Sequence, residues 1–418
     1  MTKMTPEITQ RIEQIRRGEV PEGYVKTALG LVPGDWNRYT FGDIYTERKE
    51  PGSEELPLLM VSIHSGVSDG EVDQAELPKK VKRIEDKSQY KKAVSGDLVF
   101  NMMRAWQGAI GTVRTTGMVS PAYIVAEPND KVYPLFMDYY TRTSQMINQI
   151  DRQSYGVTDF RKRLYWDSFA PIGCTLPSIA EQQKIAAILT TQDKVIALKE
   201  KRLAEKQRQK KYLMQQLLTG KKRLPGFGGA WKAERLGKLF LERKETNCEG
   251  LQMLAITGIQ GIIPRKELDL KDNSSEDKSK YLRICVGDIG YNTMRMWQGV
   301  SAYSDYEGIV SPAYTILKPS SSINAKYFAY LFKMPEIIFL FYRFSQGLVD
   351  DTRNLKYENF RKITVFYTAD VNEQTAIAEV LSAADREIDL LRQDIEQEKQ
   401  KKKALMQLLL TGIVRVNV

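Results

Sequence analysis

Two hexapeptides, MRAWQG at residues 103–108 and MRMWQG at residues 294–299, stand 191 residues apart and differ at one position. Extended without a gap, GDLVFNMMRAWQGAIGTVRTTGMVSPAYIV (96–125) lies over GDIGYNTMRMWQGVSAYSDYEGIVSPAYTI (287–316), with 14 of 30 positions identical. Self-similarity at a fixed period is the signature of a repeated structural unit, and here it decides the architecture. The match continues upstream, where GDWNRYTFGDIYTERKE (34–50) pairs with GAWKAERLGKLFLERKE (229–245). Downstream, GVTDFRKRLYWDSF (156–169) pairs with GLVDDTRNLKYENF (347–360), and 178–220 pairs with 370–412. The chain is one unit of about 190 residues written twice.

Each unit changes character along its length. Its first three quarters are rich in Gly, Tyr, Val and Ile and broken by turn signals such as SDG (68–70) and the GD pairs at 96–97 and 287–288, which predicts short strands with a few helices. Its last quarter has no Gly or Pro over 179–219 and again over 371–411, and is loaded with Ala, Leu, Gln, Glu and Lys, the composition of a long helix. Ser178 with Glu181, and Asp370 with Glu373, have the spacing of a capping box, in which the first side chain takes an orphan amide and the Glu reaches back. Gly220 and Gly412 stand where a left-handed residue ends a helix. Leu189, Ile196 and Leu203 recur every seven residues, as do Leu381, Ile388 and Ile395, making an apolar seam for a helical partner. The two helices are expected to pair with each other, antiparallel if a pseudo-twofold axis relates the units. Forty residues at 1.5 Å give rods of about 60 Å, with one mixed domain at each end. Ahead of the first unit, Ile8, Ile12 and Ile15 have helical spacing, and RRGEVPEGY (16–24) echoes TGKKRLPGF (219–227), so the amino-terminal stub is expected to complete the arrangement in a circular sense.

Composition narrows the function. The 418 residues are 42% hydrophobic and 27% charged, enough for several domains with substantial cores. No run of eighteen apolar residues occurs and the first residues lack the apolar stretch of a secretion signal, so a cytoplasmic location without a membrane is expected. Cys174, Cys248 and Cys285 lack CxxC spacing and suggest neither a disulfide framework nor a zinc site. The net charge of +10 favours a polyanionic partner, because each cation set against a phosphate releases a condensed counterion. No phosphate loop, DPPY- or NPPF-like methyltransferase motif or HExxH is present, and His64 is the only histidine, which leaves no ground for a catalytic assignment. GFGG (226–229) reads as a linker between the units.

These features together resemble the specificity (S) subunit of type I restriction-modification systems. The matching residues are two consecutive mixed domains, each followed by a long helix that begins in an Glu-Gln sequence and ends in Leu-Leu-Thr-Gly. They read LPSIAEQQKIAAIL (176–189) with LMQQLLTGKKRLPGF (213–227), and NEQTAIAEVL (372–381) with LMQLLLTG (405–412). The second start, YTADVNEQ, lacks the prolines of the first. The resemblance covers essentially the whole chain and implies an α+β architecture: target-recognition domains at 27–176 and 225–368, spacer helices at 177–224 and 369–418, and an amino-terminal helix and linker at 1–26. It implies a non-catalytic reader of a split site in double-stranded DNA, with half-sites about one helical turn, roughly 34 Å, apart and an unread spacer between them. Two methyltransferase subunits would dock on it, joined by two motor and nuclease subunits where these exist. S-adenosylmethionine, ATP and Mg would sit on those partners and no cofactor on this chain.

Three groups of residues are candidates for base contact. In the hexapeptides, Arg104 and Arg295 alternate with Gln107 and Gln298 as along a strand; Arg reads guanine bidentately and Gln adenine. Trp106 and Trp297 read more simply as core rings beside a Gly turn, and the arginines stand open between a paired structural cation and a reader at the surface. The second group is a loop holding Tyr155, Thr158, Asp159, Arg161, Lys162 and Arg163, answered in the other unit by Gln346, Asp350, Asp351, Arg353 and Lys356. The third is the segment around His64, answered by Gln260. The likeness of the two units predicts similar half-sites. The basic stretches 199–211 and 392–403 read as the solvated flank of the helices, or as a protein interface. Two other classes stay open: a free-standing two-headed DNA-binding regulator, and a helical scaffold whose globular ends bind protein.

Overall fold

The computed structural model describes residues 6–27, 30–70, 84–158, 161–248, 250–258, 260–268 and 277–417. The chain forms two compact units, Met1–Leu198 with Ile395–Val418, and Lys199–Asp394. Each unit has a mixed domain and half of each of two 39-residue helices, Ile179–Leu217 and Val371–Leu409.

In the first unit an antiparallel sheet runs in the order Tyr45–Glu47, Tyr123–Pro128, Leu98–Asn101, Ile110–Thr112. The second unit repeats it as Phe240–Arg243, Tyr314–Pro319, Ile289–Asn292, Ser301–Tyr303. Leu98 to Asn101 are all buried, because this strand is paired on both edges and covered on both faces. One face packs with Phe41, Phe136 and Phe169 into a core that continues through Ile185 and Leu189 of the first long helix to Leu409, the last residue of the second, and Leu410 just beyond it. In the other unit Phe240, Phe328 and Phe360 continue likewise into Leu217, Leu218, Ile377 and Leu381. Each domain is thus fastened to its helices by shared core, at about 2 kcal/mol per fully buried large apolar side chain.

The repeated Glu-Arg-Lys-Glu and Gly-Asp motifs form one clamp. Arg48 Nε donates to Asp97 Oδ2 at 2.8 Å and Nη2 to Oδ1 at 3.2 Å, while Asp97 also accepts the Val94 amide. Arg243 grips Asp288 at 2.7 and 3.1 Å, and Asp288 accepts the Cys285 amide. Burial pushes the Asp97 carboxyl up, with the Arg48 guanidinium and the Val94 amide pulling against it.

The capping-box expectation is half met. Ser178 Oγ does accept the Glu181 amide at 3.3 Å, but among the described residues neither glutamate bonds the backbone amide of its own cap, and Glu373 accepts the Thr368 hydroxyl instead. Glu181 takes Arg415 at 2.7 and 2.8 Å, and Glu373 takes Arg223 Nη2 at 2.6 Å. Both carboxylates are buried, so an arginine with two fixed donors satisfies them better than one backbone amide would. The neighbouring glutamines pin the domains: Gln182 accepts the Tyr133 amide at 2.8 Å and Gln374 the Asn324 amide at 2.7 Å. The helices end at left-handed Gly220 (φ 72°) and Gly412 (φ 69°). A Cβ at Gly412 would fall 2.4 Å from Pro33, and Tyr24 donates to the Gly412 carbonyl at 2.7 Å. With Arg11 bonded to the Ile413 carbonyl at 2.9 Å, the carboxyl-terminal segment lies against the amino-terminal stub.

Within each unit the two helix halves run antiparallel. Leu189, Ile196, Leu381, Ile388 and Ile395 of the seam are buried, and Leu203 is half-buried. Part of the basic stretches is not solvated flank but ion pairs between the helices: Lys199 with Asp394 at 2.8 Å, Lys206 with Glu387 at 2.8 Å, and Lys402 with Asp193 at 2.6 Å. Tyr139 and Tyr330 donate to Asp193 and Asp385, at 2.7 and 2.8 Å, tying each domain to its helix.

Candidate nucleic-acid interface

The strand expected through the hexapeptide stops at Asn101, and the chain turns into a 3-10 helix over Ala105–Gln107. The Asn101 side chain accepts the Met103 amide at 2.9 Å, which ends the ladder by offering the backbone a local partner. Trp106 Nε1 donates to the Met103 carbonyl at 3.0 Å, and Gly108 (φ 101°) closes the turn in a conformation that an L side chain adopts only with strain. The second unit repeats each element: Asn292 with Met294 at 2.9 Å, Trp297 with Met294 at 3.0 Å, the helix Met296–Gln298 and Gly299 at φ 80°. Strand alternation therefore does not apply. Arg104 and Gln107 are both exposed, as are Arg295 and Gln298, and among the described residues none of these side chains has a hydrogen-bond or ion-pair partner. The tryptophans are half-buried rather than core.

The second candidate lies against the first. Tyr155 and Arg163 exchange backbone bonds at 2.9 and 2.7 Å, making a neck from which the loop projects, and the Leu164 amide bonds the Met102 carbonyl at 2.9 Å. A Cβ at Gly156 would sit 2.5 Å from the Arg161 backbone, so the neck requires glycine. Lys162 bonds Asp151 at 2.8 Å and stands 5.0 Å over the Trp106 ring. Tyr155, Thr158 and Arg161 are exposed, Arg163 is half-buried, and Asp159 lies outside the described residues. In the other unit Gln346 and Asn354 form the neck at 2.7 Å each way, and the Leu355 amide bonds the Thr293 carbonyl at 2.9 Å. Arg353 stacks 4.1 Å from the Tyr342 ring and 6.0 Å from Trp297, and bonds Asp350 at 3.3 Å. Gln346, Asp350 and Lys356 are exposed; Asp351 falls in the short helix Asp350–Thr352, and its side chain is outside the description.

His64 is exposed at the tip of the hairpin Val61–Ser62 and Gly66–Val67, whose Ile63 carbonyl lies 3.5 Å from the Cβ position of Gly108. Gln260 is exposed at the tip of Leu254–Ile256 and Ile262–Pro264, beside Val300 and Ala302 of the strand that leaves the turn. In each unit, turn, loop and hairpin tip form one continuous surface.

Four neighbours were not marked out by sequence reasoning. Met103 and Met294 are exposed next to the arginines, and their repetition was the available signal. Behind the second turn, half-buried Lys333 donates to the Gly299 and Ser301 carbonyls at 2.7 and 2.6 Å, and desolvation pulls its ammonium down to about 8. Its counterpart in the repeat, Arg142, instead pairs with buried Asp138 at 3.1 Å. A lone Lys in the turn between two apolar helices, Ala325–Leu331 and Pro335–Phe344, gives no sign in sequence of what it will face. Among the described residues no cluster of metal ligands occurs, and no helix is long and apolar enough to cross a membrane.

No family model matches the chain. It is 24% identical over 94% of its length to a protein of Methanocaldococcus jannaschii named "Putative type I restriction enzyme MjaX specificity subunit", 97% of which is covered. A chain from a structure concerned with complex assembly and conformational transition of the type I R-M system shares 18% identity and a TM-score of 0.54, with 92% of this chain and 99% of that one covered. The S subunit of a type I restriction-modification system from M. genitalium gives 12% identity and a TM-score of 0.55, with 92% and 96% covered. The two solved structures show the fold. Together with the full-length relative they bear out the resemblance to type I specificity subunits that the repeated motifs carry.

Proposed function

We propose that this chain is the DNA-reading subunit of a type I restriction-modification assembly. Each recognition domain, 27–176 and 225–368, reads one half of a bipartite duplex site, while the helical segments 177–224 and 369–418 span the unread spacer. Methyltransferase subunits dock on it, and restriction subunits where the host has them; S-adenosylmethionine, ATP and Mg belong to those partners, and the chain itself performs no chemistry. The assembly works in the cytoplasm.

The observation that carries this reading is the duplicated surface of turn, loop and hairpin tip. Its turn presents Arg104, Gln107, Arg295 and Gln298, exposed and without hydrogen-bond or ion-pair partners among the described residues, on a domain fastened to paired helices. Such side chains on a rigid frame suit readout of base edges, and the surplus of positive charge suits the phosphates around them. The test is to express the chain with its methyltransferase and map methylated adenines across the host DNA. A split motif with a fixed gap is expected, altered in one half when one recognition domain is exchanged. A formed complex that methylates nothing would instead favour a two-headed regulator or scaffold.

A further inference from the structure

The turn differs at a single position between the two units. Its backbone bonds agree: Arg104 and Arg295 amides to the Asn101 and Asn292 carbonyls at 3.0 Å, and Gln107 and Gln298 amides to the arginine carbonyls at 3.0 Å. What frames it differs. Tyr155, Val157, Lys162 and Arg163 of the first loop correspond in the repeat to Gln346, Leu348, Arg353 and Asn354 of the second, and the hairpin tips carry His64 and Gln260.

Packing explains part of the turn's identity. Asn accepts an amide, Trp donates to a carbonyl and Gly adopts a left-handed φ, so the fold requires all three. It makes no such demand on Arg104 and Gln107, or on Arg295 and Gln298, which are exposed and without hydrogen-bond or ion-pair partners among the described residues. Arg104 and Arg295 cap the 3-10 helices in which Gln107 and Gln298 are the last residues, so each Arg and Gln leave one short exposed turn. An arginine so held suits the two acceptors of guanine in the major groove, and the glutamine an adjoining base pair.

We infer that the two halves of the recognition sequence share one element: a G·C pair at the same place in each half, read by Arg104 in one and Arg295 in the other. The remaining bases of the halves differ, because the loops and hairpin tips that frame the turn differ. This rests on the DNA-reading function proposed above.

The test uses the complex with methyltransferase. Its methylation map first gives the motif; Arg104→Ala and Arg295→Ala complexes are then bound to the motif and to duplexes with the shared G·C pair changed to A·T in one half. Both halves are expected to carry a G·C pair at one distance from the methylated adenine. Each variant is expected to lose discrimination at that pair in its own half, by roughly ten- to hundredfold, and keep it in the other. Gln107→Ala, at a side chain without a hydrogen-bond partner among the described residues, serves as a second variant and should relax the adjoining position. A bipartite motif whose halves share no such pair overturns the inference. So does an arginine variant that weakens all duplexes equally and lowers the salt slope by about one, the mark of a phosphate contact. A map with no bipartite motif would instead remove the DNA-reading function itself, and the two failures are distinguishable.

Discussion

Arg48 and Arg104 belong to motifs that recur in both units, and they do opposite work. Arg48, like Arg243, is nearly buried and locked to an aspartate; Arg104, like Arg295, faces solvent from its turn with no ion-pair partner among the described residues. A repeated arginine is therefore not by itself a reader. A motif recurs because the fold needs the side chain or because something outside the chain does, and burial with pairing separates the two.

The largest effect that would sharpen this contrast is on the buried pair. Arg48→Met leaves the Asp97 carboxylate buried without its counter-charge and is expected to cost about 3–5 kcal/mol, read as a lower midpoint in urea. An unchanged midpoint would break the assignment of the clamp as structural. Next comes Arg415→Met, which strips buried Glu181 of its cation. About a third of the guanidinium side chain faces water, so a loss of about 2 kcal/mol is expected by thermal melting, discounted for screening. Arg104→Ala should move stability by no more than about 0.5 kcal/mol in the same assay while relaxing base discrimination. A large fall in Tm would place it with Arg48.

The smallest effect separates the two turns by what lies behind them. Lys333 titrates near 8 in the fold against an ordinary 10.5, so between those values the unfolded chain holds a proton that the folded one has released. Stability from this group therefore rises with pH across that window and is flat below it, where both states are protonated. Tm compared between wild type and Lys333→Met, from pH 7.5 to 9.5, should show the rise only in wild type. Arg142→Met should remove no such slope, since an arginine does not titrate there.

Much of the frame was legible in the sequence, because it depends on local chemistry. The Gly- and Pro-free stretches 179–219 and 371–411, followed by Gly220 and Gly412, specify a helix and its end from propensity and φ alone. The candidate residues could be named from the sequence, but not how they group in space. Read as a strand, the hexapeptide sets Arg104 and Gln107 on opposite faces; the Asn101 side chain ends that strand, and no periodicity registers one such bond. Nor does spacing reveal that Lys162 will stand over Trp106, or that Glu181 will hold Arg415 rather than its own helix start.

The sequence by itself thus determined that the chain is one unit used twice, where its long helices lie and which residue types it offers to a polyanion. Those are properties of pattern, composition and backbone preference. Only the tertiary structure decided which repeated arginine is a buried strut and which stands free, and that turn, loop and hairpin tip share one surface. Pairing and burial depend on residues far apart in the chain, and their energies are set by what the fold brings within a few ångström.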